Sequence, residues 1–135
     1  MPPSEPTFWA TVDALCERDP RYHREAYAFV LRALGATVQE LPRERQDDPV
    51  RRHLTGGELV EGAITLARRE FGLMAPTVFR EWGLATGEDV GRIVFQLVET
   101  AFLSARPEDR MDDFLGHPDL VRRVSEPEPG ARRLR

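Results

Sequence analysis

The sequence predicts an all-α, or nearly all-α, compact single-domain bundle of five to six helices. Three observations carry this. Apolar residues recur at three- and four-residue spacing over most of the chain, helix-capping signatures stand just ahead of two such stripes, and no stretch alternates as a half-buried strand would. At 135 residues the chain is one domain by size and long enough to bury a core. Its 41% hydrophobic and 31% charged residues keep it out of the disordered class.

Residues 1–6 are rich in proline and predict a flexible lead-in. A first helix, capped by Ser4 or Thr7, then runs to about Arg18, with Phe8, Val12, Leu15 and Cys16 on one stripe. On that stripe Cys16 reads as a small buried hydrophobe, not a reactive thiol. Asp19-Pro20 pairs a good N-cap with a residue suited to the first helical position. It predicts a second helix that runs to Leu34 and is stopped by Gly35. Tyr22, Ala26, Phe29 and Ala33 line one of its stripes and Tyr27, Val30, Leu31 and Leu34 the next, which places this helix near the middle of the core.

From 40 to 53 the chain is charged, carries Pro42 and Pro49 and has almost no apolar residue, so an exposed loop is expected. Arg43, Arg45, Arg51 and Arg52 make it the best local candidate for surface contact with an anion, although Glu44, Asp47 and Asp48 offset most of the charge.

Thr55-Gly-Gly-Glu58 fits a capping box, and Leu54 and Leu59 stand where a hydrophobic staple would. The helix they start buries Val60, Ala63, Ile64, Ala67 and Phe71 and ends at Gly72. Gly56-Gly57 could also offer backbone amides to a phosphate. Glu58 already supplies the negative charge there, however, and neither nucleotide-binding glycine pattern is present. A short helix over 73–82 comes next, with Pro76 in its first turn, Gly83 at its end, and Trp82 as a core anchor.

Thr86 caps the last long helix, with Glu88 and Asp89 where the helix dipole favours acids. Its stripe runs from Val90 through Ile93, Val94, Leu97, Val98 and Ala101 to Phe102. Gly62 and Gly91 lie inside helices, where glycine costs about 1 kcal/mol relative to alanine. Both read as close-packing positions, with the helix that starts at Thr55 crossing at Gly91. Pro107 then starts a short acidic helix through Asp113, from which Met111, Phe114 and Leu115 can dock on the core. Leu120, Val121 and Val124 offer a last contact, and 125–135 reads as a disordered tail.

Chemistry is thinly represented. His23, His53 and His117 are far apart and none lies at ligand spacing from another His or from Cys16, so no metal or other cofactor is expected. The pairs Glu108/Asp109 and Asp112/Asp113 could serve acid–base work but read as a solvated face. No catalytic residue is assigned. An enzyme would need a site assembled in space, with His53, Glu58 or Asp89 converging. A net charge of −4, spread without a basic arm, disfavours nucleic acid and anionic lipid as partners. All 19 basic residues are Arg, which fits a GC-rich genome. Nucleic-acid binding is still open through the helix-turn-helix-like segment 73–103, although its second helix opens with acids and carries Arg92 as its single cation. Neither a signal peptide nor an apolar run of membrane length is present, so a cytoplasmic location is expected.

Several short motifs also stand in a fixed order. Asp19-Pro-Arg-Tyr22, Gly57-Glu-Leu59 with Gly62, Phe71-Gly-x-Met-Ala75, Trp82-Gly83, Asp89-x-Gly91-x-Ile-Val-Phe95 and Asp113-Phe114 lead the set. In combination the chain resembles the Minf-type family of small bacterial proteins, over roughly residues 8 to 115. The resemblance implies a compact, mainly helical protein and no particular activity, cofactor or site residue. The leading functional expectation is a small non-enzymatic interaction or accessory protein that meets a protein partner through an exposed face.

Overall fold

The computed structural model describes residues 5–104 and 110–127. It is all-α: helices α1 (Glu5–Arg18), α2 (Arg24–Gln39), α4 (Gly56–Phe71), α5 (Ala75–Trp82), α6 (Gly87–Glu99) and α7 (Leu120–Ser125) are joined by a single-turn helix, α3 (Arg43–Gln46), and two 3₁₀ turns, with no strand among the described residues. α2 and α4 form the most extensive helix pair, and α6 packs against both. Tyr27, Phe29 and Val30 of α2, Val60 and Ile64 of α4, and Ile93 and Leu97 of α6 are fully or almost fully buried between them. The two apolar stripes of α2 therefore do put it at the centre.

Several helix boundaries differ from expectation. α1 begins at Glu5, so residues 5 and 6 belong to a helix, while 1–4 lie outside the described residues. α2 begins at Arg24, where the His23 Nδ1 accepts from the Glu25 amide at 3.1 Å. Asp19-Pro20 forms a turn instead, with Asp19 accepting from the Arg21 amide. The turn lets the His23 amide donate to the Trp82 carbonyl at 3.2 Å, which joins the start of α2 to the end of α5. Gly35 does not stop α2. The helix continues to Gln39 because Thr37, one turn beyond Ala33, seats against Gly62 of α4.

Within the charged loop 40–53, α3 folds on itself: the Gln46 side-chain amide donates to the carbonyls of Gln39 and Leu41 at 2.9 and 2.7 Å. α4 opens with the expected capping box, Glu58 N to Thr55 Oγ1 at 3.0 Å and Thr55 N to Glu58 Oε1 at 2.9 Å. At its far end Phe71 joins Phe29, Phe79 and Trp82 in an aromatic group with ring centroids 5.4 to 5.8 Å apart. Trp82 contributes to the core from its edge, half-buried. Pro76 lies in the first turn of α5, and Gly83 closes that helix at φ 83°.

α6 ends at Glu99, short of the expected stripe, which reaches Phe102. Ala101 turns into the left-handed region (φ 68°), and the amides of Phe102 and Leu103 both return to the Leu97 carbonyl. This turn brings Phe102 against Phe8 of α1 at 5.3 Å. The start of the expected acidic helix, Pro107 with Glu108 and Asp109, lies outside the described residues. Its C-terminal part, Met111–Phe114, is a 3₁₀ turn. From it Phe114 docks on the core while Leu115 stays 48% exposed, so Leu115 is not the anchor expected. Leu120 and Val124 of α7 are buried instead. Ser125 closes α7, so of the expected tail 125–127 are described and 128–135 lie outside.

The 111–120 segment straps the N-terminal ends of α4 and α6 together. The Gly87 amide donates to the His117 carbonyl at 2.9 Å and the Leu120 amide to the Ala85 carbonyl at 2.8 Å. A Cβ on Gly91 would lie 2.7 Å from the Phe114 ring and 2.8 Å from the Met111 sulfur. Gly91 is thus a close-packing position, but its neighbour is this strap and not α4. Gly62 packs as expected: a Cβ there would collide with the side chain of Thr37.

Candidate binding cleft

A cleft of about 350 Å³ opens between the end of α2, the start of α4 and the outer half of α6. Leu34 and Val38 form one wall, Val94, Phe95 and Val98 the facing one, and Leu54 with Leu59 the floor toward α4. The apolar spacing that drives α2 and α6 into the core does not end at the core boundary. It leaves these side chains half-buried and facing each other across the gap. Leu103, Ser104 and the strap residues Asp113 and Phe114 close one side, and Arg52 and His53 stand on the loop side. A concave, mainly apolar volume with a few polar groups at its edge is the usual form of a binding site.

Arg45 holds that edge in place. Its guanidinium makes a two-pronged ion pair with Glu58, Nη1 to Oε2 at 2.6 Å and Nη2 to Oε1 at 3.2 Å. The same group donates to the Arg51 carbonyl at 2.8 Å and the His53 carbonyl at 3.2 Å, the two carbonyls flanking Arg52. Glu58 is itself half of the α4 cap, so the loop is tied to a helix start that two further hydrogen bonds already fix. The Arg45 guanidinium keeps the Glu58 carboxyl below the usual range, outweighing the effect of partial burial. Arg45 is therefore not a surface contact, as its charge alone suggested, but the organiser of the loop. Asp48 completes the fold of this segment by accepting from the amides of Val50 and Arg51. Arg43, Arg51 and Arg52 are all exposed, Arg52 at the rim of the cleft. The four arginines therefore form no single anion-binding cluster.

A second groove, between α4 and the end of α2, is lined by Thr37, Glu40, Glu58, Glu61, Arg69 and His117 among others. Its charges are engaged with one another and with the helices around it. Glu40 pairs with Arg69 at 2.7 Å, and Glu61 takes a two-pronged contact from Arg123 at 2.8 and 2.9 Å. The His117 Nδ1 lies 3.6 Å from Glu61.

Asp89 is the residue whose role the sequence understated. Buried at the start of α6, it accepts from the amides of Ala85 and Thr86 at 2.9 Å each, from the Tyr22 hydroxyl at 2.6 Å and from Arg92 at 3.3 Å. The Thr86 hydroxyl donates toward it at 3.4 Å, so the carboxylate of Asp89 leads this cap. Its place in the first turn suited the helix dipole, but Tyr22, 67 residues away, carried no signal. His53, Glu58 and Asp89 do not converge: His53 is on the cleft, Glu58 is bound to Arg45, and Asp89 is enclosed by its donors. Burial, seconded by the charge of Asp13, raises the Cys16 thiol, whose S–H donates to the Tyr22 carbonyl at 3.5 Å. It is a poor nucleophile. Among the described residues no group of three or more His, Cys, Asp or Glu could hold a metal ion, and no helix is long and apolar enough to cross a membrane.

No protein-family model, curated protein or solved structure matches the chain.

The helix-turn-helix geometry fares poorly on the residues themselves. Gly87, Asp89 and Gly91, at the end of α6 that would enter a groove, are buried, two of them beneath the 111–120 strap. Arg92 is committed to Glu88 at 2.6 Å and to Asp89. A recognition helix needs its N-terminal residues free to reach base edges.

Proposed function

We propose that this protein is a small non-enzymatic interaction module of a bacterial cytoplasm, and that it receives apolar side chains of a protein partner in the cleft between α2 and α6. The observation that carries this reading is the cleft itself. Val94, Phe95 and Val98 extend the apolar stripe of α6 past the core, and Leu34 and Val38 of α2 face them across an open volume. The two rigid helices preorganise these walls, which lowers the ordering cost of binding. Helix-in-groove and apolar-anchor recognition both use such a surface. Glu58 and Asp89 are held in helix caps, Glu61 in an ion pair with Arg123, and the Cys16 thiol is raised by burial, which favours binding over catalysis at these groups.

A photo-crosslinking side chain placed at Val98 tests the reading against the same group at Arg80, which is exposed on α5 and outside the cleft. In living bacterial cells the Val98 position should trap a discrete protein adduct that the Arg80 position does not. The same adduct pattern from both positions would sink the assignment.

A further inference from the structure

We draw no further inference here: the strongest candidate, the exposed apolar turn of Leu73 and Met74 between α4 and α5, is an unpartnered surface patch, and nothing in the structure shows what covers it.

Discussion

Tyr22 and Asp89 illustrate how one side chain joins distant parts of the chain. The Tyr22 hydroxyl is buried and donates at 2.6 Å to the carboxylate that caps α6, so it ties the turn before α2 to the start of α6. Removing it in Tyr22→Phe should cost about 1.5–3 kcal/mol in a denaturant titration, the range for a hydrogen bond to a charged group. Burial also pushes the Tyr22 phenol up to about 12. A raised value means the unfolded chain ionises first, so this stabilisation is intact below about pH 10, the unfolded value, and is lost as pH rises through the folded one. Melting temperature should therefore fall less steeply between pH 10 and 12 in Tyr22→Phe than in the wild type. An unchanged alkaline slope would contradict the linkage. Arg45 makes the same point for the cleft, since its four contacts decide where Arg52 stands.

The helices themselves follow local chemistry closely. Thr55 and Glu58 start α4, Pro76 and Gly83 bound α5, and the stripes of α2, α4 and α6 face inward as their spacing requires. Local signals failed where a tertiary contact outweighed them. Gly35 would ordinarily end α2, but the contact between Thr37 and Gly62 favours continuing the helix. α6 ends early because Phe102 has a place against Phe8. At the α2–α4 crossing, Gly62→Ala should destabilise the fold by about 1–3 kcal/mol, the usual cost of overpacking. Thr37→Ala in the same chain should recover part of that loss, since the colliding hydroxyl and methyl are gone. Additive losses in the double variant, read from chemical denaturation, would show that the two residues do not share this contact.

Two ion-pair clasps hold the bundle's irregular parts to α4. Arg45 to Glu58 fixes the 43–54 loop, and Arg123 to Glu61 fixes α7. In each case the arginine keeps the carboxyl below its ordinary value, with burial opposing it. A lowered carboxylate stabilises the fold above the unfolded value of about 4.3 and loses that contribution as pH falls through the folded value. Melting temperature should thus hold from neutral pH to about 5 and drop below it, and Glu58→Gln and Glu61→Gln should each flatten the acid drop. Variants that fall as steeply as the wild type would rule these clasps out as its source.

The cleft was only half legible in the sequence. Val94, Val98, Leu34 and Leu54 were all visible as apolar residues, yet nothing in their spacing separates a side chain that ends in the core from one that ends in a groove. Caps, turn glycines and amphipathic stripes act over a few residues, so composition and spacing were enough to establish an all-α bundle and the capped starts of α4 and α6. Partners 13 to 67 residues apart, such as Arg45 with Glu58 and Tyr22 with Asp89, depend on how the helices pack. The same holds for the strap over Gly91 and for the open face between α2 and α6. Many sequence separations are compatible with one local pattern, and packing selects among them.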